Sequence, residues 1–207
     1  VEKWNKFNKN TGGTLVEKCC HYFDLMNLAA DAKPKKVYAS GGQGVNFLDF
    51  EQGGESADID DHAFVVIDYD NGIRGNFTLN MFCHDFTEEM VICVDRGRLV
   101  TREIFNIHQQ KPSSATVALE LGELGGSKQT EVTYAREIES SGHHGATYYE
   151  HIAFVDQLEG NLSTSATPLQ GLWSIIIACA AQQSIATGEA VYIDQFLADN
   201  KLSEFSK

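Results

Sequence analysis

The stretch Thr11-Gly-Gly-Thr-Leu-Val-Glu-Lys-Cys-Cys-His-Tyr-Phe-Asp-Leu-Met26 sets the interpretation of the whole chain. A pair of glycines interrupts the incoming chain, Thr14 is a candidate N-cap, and apolar residues then recur at helical spacing, so a helix is predicted. On that helix Glu17 and His21 are four residues apart and Asp24 follows, which would place two carboxylates and an imidazole on one face. A histidine beside a carboxylate can take a proton from an alcohol. The plainer alternative is an amphipathic helix that happens to carry one surface histidine.

The chain has 207 residues, enough to bury a substantial core, and a single domain over residues 1–207 is expected. A formal net charge of −13 would repel nucleic acids and anionic membranes, so neither is an expected partner. The N-terminus lacks the layout of a signal peptide, and no apolar run approaches the roughly 20 residues of a membrane span. The cytoplasm is therefore the expected compartment, and the five cysteines are expected to be reduced.

Alternating apolar and polar residues predict a strand near the N-terminal helix and then a meander of about six consecutive strands. The predicted strands are 36–40, 63–69, 73–82, 89–94, 98–105, 115–121 and 130–136. A hairpin is signalled by Asp70-Asn-Gly72, and strands joined by short turns pair antiparallel. Gly41-Gly-Gln-Gly44 lacks the spacing of a nucleotide-binding loop and predicts a turn instead.

Helical periodicity returns in the last third of the chain. Helices are predicted at 146–159 and from Pro168 to Thr187, followed by a short strand at 191–193 and a helical turn or two at 196–202. The predicted fold class is α+β, a large and mostly antiparallel sheet with helices packed on one face.

The run from Trp4 to Met26 resembles the start of the second domain in a family of oxidoreductases. This is the glucose-fructose oxidoreductase, inositol dehydrogenase and rhizopine-catabolism (Gfo/Idh/MocA) family, where a Gly-Gly pair opens a helix carrying an acid, a histidine four residues on, and an aspartate. The runs Tyr148 to Asp156 and Trp173 to Val191 are also similar to the family. The resemblance covers essentially the whole chain and implies its C-terminal, substrate-binding and oligomerisation domain.

A protein of this family has a dinucleotide-binding Rossmann domain first and a domain like this one second, with substrate bound between them. No glycine fingerprint follows a strand here, and the family's Glu-Lys-Pro motif has no match, because the Glu17-Lys18 pair is followed by cysteine. The N-terminal Rossmann domain is therefore expected to be absent from this chain. The chain would be the C-terminal part of a longer enzyme and inactive alone, with NAD or NADP bound mainly by the other domain.

By position, the resemblance makes His21 the catalytic histidine that exchanges the substrate hydroxyl proton during hydride transfer. Glu17 stands where the family more often has aspartate, and would orient His21 or bind a substrate hydroxyl. The implied substrate is a sugar, a polyol or a related small molecule. Lys18, turned about 100° around the helix, and Asn10, just before the Gly-Gly pair, are substrate-binding candidates. The alternative for Lys18 is a salt bridge or exposure to solvent.

A second candidate patch is the loop Ser140-Ser-Gly-His-His-Gly145, where His143 and His144 could hydrogen-bond a polyol. The alternative is a solvated loop. The remaining histidines have no supporting residues around them in the sequence and are predicted to be structural; they are His62, His84, His108 and His151.

Two other classes of function remain open. A metal site could be built from Glu17, His21, His143 and His144, although the usual ligand spacings are lacking. A non-catalytic assembly module would use only the uncovered sheet face. A homodimer or tetramer through that face is expected in either case, supported by apolar residues on the strands: Val65, Ile67, Phe77, Leu79, Val91 and Cys93.

Overall fold

The structure is a computed structural model that describes residues 3–83, 85–105, 114–141, 145–163 and 165–206. The chain forms two compact units. Unit 1 consists of Val1–Phe82 with Ala166–Lys207, and unit 2 consists of Cys83–Ser165. That the whole chain acts as one domain stays a prediction.

The helices, numbered along the chain, are short near the N-terminus and longer near the C-terminus. They are α1 (Asn8–Thr11), α2 (Thr14–Glu17), α3 (Cys20–Ala30), α4 (Arg136–Glu139), α5 (Ala146–Glu159), α6 (Pro168–Thr187) and α7 (Ile193–Asp199). Single 3-10 turns lie at Trp4–Lys6, Gly122–Leu124 and Ser203–Ser206. Helices α4 and α5 belong to unit 2, and the others belong to unit 1.

The strands pair antiparallel throughout. They are β1 (Pro34–Gly42), β2 (Glu51–Gln52), β3 (Glu55–Ser56), β4 (His62–Tyr69), β5 (Arg74–Asn80), β6 (Phe86–Val94), β7 (Gly97–Phe105), β8 (Ser114–Glu120), β9 (Ser127–Val132) and β10 (Val191–Tyr192). Unit 1 holds a four-stranded sheet in the order β10-β1-β4-β5 and the small β2-β3 ribbon. Unit 2 holds a four-stranded sheet in the order β6-β7-β8-β9. The α+β class and the antiparallel pairing predicted from the sequence are confirmed.

Helix α6 has the bounds that its sequence signals predict. At its start the Thr167 hydroxyl accepts from the backbone N–H of Gln170 at 3.3 Å, and Pro168 fills the first helical turn. At its end Gly188 adopts φ 73°, the left-handed conformation that closes a helix. The helix is 20 residues long and apolar enough to cross a membrane by length and composition. It is the central core helix of unit 1, however, and packs on β1 and α3.

Several predicted elements have different bounds in the structure, and β9 and α7 differ most. Strand β9 begins at Ser127 and ends at Val132, whereas 130–136 was predicted, because Gly126 at φ 73° completes the turn and Ser127 pairs at once with Glu120. Helix α7 spans Ile193–Asp199, whereas 196–202 was predicted, since the chain enters it directly from β10.

The core of unit 1 lies between its sheet and helices α3 and α6. Strand β4 alternates as a half-covered strand should: Val65 and Ile67 are buried, while Phe64 and Val66 are exposed. The largest fully buried side chains come from helices and strands alike; they include Leu15, Phe23, Val37, Val65, Ile67, Ile177 and Leu197. Helices therefore cover one face of this sheet.

The residues on the uncovered face of this sheet differ from those that the sequence predicted for the interface. Val65 and Ile67 belong to the covered face, and Phe77 lies there too, with its ring 5.2 Å from that of Phe23. The uncovered face instead presents four large exposed side chains, which are Tyr38, Phe64, Val66 and Tyr192. We call these four residues the open face.

Unit 2 buries its apolar side chains less completely than unit 1. In the part of it that the structure describes, no apolar side chain is buried, and the apolar residues of its sheet and of α5 are half-buried or exposed. Val91 and Cys93, which were named for the sheet face, are among the exposed residues.

Candidate functional site

The predicted histidine helix is divided in two. Helix α2 ends at Glu17, a turn follows at Lys18 and Cys19, and α3 begins at Cys20. The φ angles of Lys18 and Cys19 are −107° and −102°, well away from the roughly −63° of an α-helix, and the helix is interrupted at these two residues. Glu17 and His21 therefore lie on successive helices, on either side of one turn.

Glu17 and Lys18 form an ion pair, with Oε2 of the carboxylate 2.9 Å from the Lys18 ammonium nitrogen. The salt bridge that was the alternative role for Lys18 is thus present. Glu17 is half-buried and His21 is exposed at the start of α3. Among the described residues, the imidazole of His21 has no hydrogen-bond or ion-pair partner. The side chains of Glu17 and His21 are therefore not in direct contact through a hydrogen bond.

The other predicted substrate-binding residues are only partly placed. Asn10 is exposed in α1, and its side-chain amide donates to the Trp4 carbonyl at 2.8 Å. His143 and His144 lie outside the described residues.

The start of α2 is fixed by a buried polar junction. Thr14 is not the N-cap that was predicted: Gly13 takes that position at φ 104°, and the Thr14 hydroxyl donates to the Asp60 carbonyl at 2.6 Å. Gln182 of α6 donates to the Asp60 carboxylate at 2.8 Å and accepts from the backbone N–H of Leu15 at 3.4 Å. A Cβ atom at Gly13 would lie 2.6 Å from the Gln182 amide, so only glycine permits this approach.

Burial raises the pKa of the Asp60 carboxyl, and the hydrogen bond from Gln182 opposes that rise. The junction ties the N-terminus of α2 to α6 and to the segment before β4. It therefore holds the element that carries Glu17 in a fixed position on the core.

Beside this junction lies a site that the sequence did not predict. Asp61 is fully buried, and its carboxylate accepts backbone N–H groups of Gly44, Val45 and Asn46 at 2.9, 2.8 and 2.7 Å. Nδ1 of His62 lies 2.8 Å from the same carboxylate. Burial would raise the pKa of Asp61, but these hydrogen bonds outweigh it and lower the pKa to about 2.

The same geometry decides whether the glycine-rich segment fits a dinucleotide. Consecutive backbone N–H groups in a tight turn can cradle a phosphate. Here the N–H groups of Gly44, Val45 and Asn46 already bind Asp61, so a phosphate does not fit. Gly41 and Gly42 belong to β1. The segment is a strand end and turn, as the missing fingerprint spacing indicated.

The described part of the chain contains the five cysteines and, of the candidate metal ligands, Glu17 and His21 but not His143 and His144. The five cysteines are free thiols, and burial, with Cys20 nearby, raises the pKa of Cys19 to about 12, which makes it unreactive. Within the described ranges, no group of three His, Cys, Asp or Glu side chains could hold a metal ion.

Solved structures of oxidoreductases share this fold. The aldose-aldose oxidoreductase of Caulobacter crescentus, solved with glycerol, matches with a TM-score of 0.62 at 11% identity, over 92% of this chain and 51% of its own. The WlbA dehydrogenase of Bordetella pertussis, solved with NADH and UDP-GlcNAcA, matches with a TM-score of 0.57 at 16% identity, over 92% of this chain and 48% of its own. GenD2 from gentamicin A biosynthesis, solved with NAD, matches with a TM-score of 0.56 at 16% identity, over 91% of this chain and 50% of its own.

The chain thus spans about half the length of the solved structures that it matches. No curated protein matches its sequence. Residues 1–193 match the family model described as the C-terminal alpha/beta domain of an oxidoreductase family, Gfo/Idh/MocA. With the fold and nearly the whole sequence in agreement, this chain belongs to the Gfo/Idh/MocA oxidoreductase family and corresponds to its C-terminal domain.

Proposed function

We propose that this chain is the substrate-binding part of an NAD(P)-dependent oxidoreductase that acts on a hydroxyl carbon of a sugar, polyol or related small molecule. The observation that carries the proposal is the placement of Glu17 and His21, an acid and an imidazole, on either side of one turn, with Glu17 half-buried and His21 exposed. Glycerol and a nucleotide sugar acid in two proteins of the same fold support the substrate class.

In the proposed reaction the carbon loses a hydride and the hydroxyl oxygen loses a proton, and each of the two goes to a different acceptor. A nicotinamide cofactor, when bound, would supply the acceptor for the hydride. His21 takes the hydroxyl proton as the carbon–oxygen bond becomes a carbonyl, and returns it in the reverse direction. Glu17 binds a neighbouring hydroxyl or orients the imidazole, and its ion pair with Lys18 keeps the carboxylate in place.

The substrate would also be bound by Lys18 and Asn10. The assignment of His143 and His144 to substrate binding stays a prediction from the sequence. Whether the cofactor is NAD or NADP depends on residues outside this chain, because the glycine-rich turn around Gly44 is occupied by Asp61. The 207-residue chain alone is therefore expected to bind neither dinucleotide at micromolar concentration and to be inactive, which calorimetry and a turnover assay can measure.

The experiment that tests the function uses the full-length enzyme with saturating substrate. His21→Ala is expected to lower turnover by roughly 10² to 10⁴ while the dissociation constant for the cofactor changes little. Glu17→Gln is expected to have a milder effect. His151→Ala, which removes an exposed histidine from α5, is the matched control. Wild-type turnover in His21→Ala would show that His21 is a structural histidine and not the base.

We also propose a homodimer or tetramer assembled through the open face, in a cytoplasmic protein. Tyr38, Phe64, Val66 and Tyr192 are each 44% exposed or more, and they lie together on one sheet surface. An apolar patch of this kind is typical of a protein interface. Light scattering that gives a strictly monomeric mass at micromolar concentration would contradict the assembly.

A further inference from the structure

Asp61 and His62, at the start of β4, form a second carboxylate–histidine pair that is separate from Glu17 and His21. Nδ1 of the imidazole lies 2.8 Å from Oδ1 of the buried carboxylate. Oδ1 also accepts from Gly44, and Oδ2 accepts from Val45 and Asn46. The carboxylate is thus held from several sides by the backbone and cannot turn away from the imidazole.

The pair fixes which nitrogen of His62 carries the proton. An ionised carboxylate can only accept hydrogen bonds, so Nδ1 must be the donor. In the neutral imidazole, Nε2 then carries a lone pair and can only accept. The His62 side chain is 38% exposed, and Nε2 has no hydrogen-bond partner among the residues that the structure describes.

The surroundings leave the imidazole accessible and hold it in place. A Cβ atom at Gly44 would lie 3.2 Å from Cε1 of the ring, so glycine at this position lets the turn lie against the imidazole. On another side the ring of Phe82 meets it edge-on, with centroids 6.1 Å apart. The ring is oriented by three neighbours, Asp61, Gly44 and Phe82, and its acceptor nitrogen is unpaired within the described residues.

His62 also lies near the helix that carries Glu17. It is two residues from Asp60, whose carbonyl accepts from Thr14, the first residue of α2. Helix α2 has only four residues, about 6 Å of helical rise. The Thr14–Asp60 hydrogen bond therefore links the start of the helix that carries Glu17 to the segment that leads into His62.

We propose that His62 is a substrate-binding residue of the oxidoreductase site and accepts a hydrogen bond at Nε2 from a hydroxyl group of a polyhydroxy substrate. This inference rests on the function proposed above. An acceptor nitrogen needs a donor, which a sugar or polyol hydroxyl supplies and an ionised phosphate or carboxylate does not. The buried negative charge of Asp61 behind the ring also disfavours an anionic group at this position.

Three variants of the full-length enzyme test the role of Nε2, with glycerol, myo-inositol and D-glucose as the probes. His62→Asn keeps a donor to Asp61 where Nδ1 stood and removes only the outer acceptor. It is expected to raise KM for the best of these probes about 3- to 10-fold, the effect of one lost hydrogen bond, with kcat changed less than about 2-fold. His62→Gln places an amide oxygen near Nε2 and is expected to recover part of that loss. His151→Asn on the exposed side of α5 is the control and should leave KM unchanged.

Nitrogen-15 NMR of the histidine-labelled full-length enzyme gives a readout that does not depend on activity. At pH 8, above the usual titration range of histidine, His62 is expected to show a protonated Nδ1 and an unprotonated Nε2 whose shift changes when the probe is added. A protonated Nε2, an Nε2 shift unaffected by every probe, or wild-type KM in His62→Asn would each overturn the proposal. If His62→Asn raises KM while His21→Ala keeps full turnover, the catalytic role of His21 fails and the role of His62 stands.

Discussion

Units 1 and 2 are both built around a four-stranded antiparallel sheet, yet they bury their apolar residues very differently. In unit 1 the helices α3 and α6 cover one face of the sheet, and side chains such as Phe23, Val37 and Ile177 lose all contact with solvent. In the described part of unit 2, apolar side chains on the strands and on α5 stay half-buried or exposed; examples are Val91, Leu119, Ile152, Phe154 and Leu158. Strand pairing alone therefore does not make a core.

The difference bears on where a precise site can be held. Glu17, His21 and His62 all belong to unit 1, where buried contacts and the Asp60 and Asp61 hydrogen bonds resist local opening. Unit 2 has few buried contacts of its own and should open at lower free energy. Residues of unit 1 are therefore better able to hold a site in a fixed geometry than residues of unit 2.

The comparison predicts its largest effect for a core truncation. Phe23→Ala is expected to lower the free energy of unfolding by about 3 to 5 kcal/mol, because the ring is fully buried against Phe77 and leaves a cavity. Phe154→Ala is the matched control in unit 2, and with 56% of the residue exposed it should cost about 1 kcal/mol or less. Urea denaturation measures both. Equal losses would show that unit 2 buries its aromatic residues as well as unit 1 does.

The second prediction concerns the buried carboxylate of unit 1. Asp61→Ala is expected to cost about 3 kcal/mol, because it leaves the backbone N–H groups of Gly44, Val45 and Asn46 without their acceptor. Asp70→Ala removes an exposed carboxylate from the turn after β4 and serves as the control, with little change expected. Denaturation of the two variants at pH 7 decides the matter, and a loss below 1 kcal/mol for Asp61→Ala would count against it.

The third prediction follows from the pH dependence of the same group. The pKa of Asp61 is lowered in the folded state, from an ordinary 3.8 to about 2, so its ionised form stabilises the fold above about pH 4. That contribution, of about 2 kcal/mol, should be lost as the pH falls from about 4 to about 2. Asp60 acts in the opposite direction and at higher pH: its pKa is raised above the ordinary 3.8, so its ionisation lowers the stability of the fold as the pH rises above about 4. Thermal melts of wild type and Asp61→Asn across this window should converge towards low pH, and parallel curves would refute the assignment.

The smallest effect is expected on the surface of unit 2. Arg102 of β7 lies 3.7 Å from the Glu89 carboxylate, and both side chains are about half exposed. An ion pair in that position contributes little, so Arg102→Ala should change the free energy of unfolding by about 0.5 kcal/mol or less. A loss above 1 kcal/mol in urea denaturation would mean that unit 2 relies on its surface charges for stability.

The residues that the sequence predicted well carry local signals. Pro168 and Gly188 mark the two ends of α6, and the turn Asp70-Asn-Gly72 defines the β4-β5 hairpin, with Gly72 at φ 89°. Helix α5 also has its predicted bounds. Each of these features depends on residues that are neighbours in the chain, which is why periodicity and capping rules suffice.

The residues that were misjudged depend on partners far away in the chain. Thr14 was taken as a cap because its contact with Asp60, 46 residues away, cannot be seen in the local pattern. The interpretation of His62 as structural stays a prediction. The substrate-binding role proposed for it above depends on how Asp61 meets the turn at Gly44, 17 residues earlier, which the local pattern does not show either. A glycine cluster that lacks a nucleotide fingerprint, followed at a short distance by two aspartates and a histidine, is the signal that could have indicated this site.

The turn at Gly44, Val45 and Asn46 is an anion-binding site, and the anion that it binds, the Asp61 carboxylate, is part of the same polypeptide. An intramolecular ligand acts at an effective concentration that a buffer ion does not reach. Dilution, dialysis or exchange of the buffer anion does not empty it, so the turn keeps its shape when the solution changes. The turn beside His62 is in this sense permanently liganded, and a ligand that bound next to it would not have to supply the free energy of ordering it.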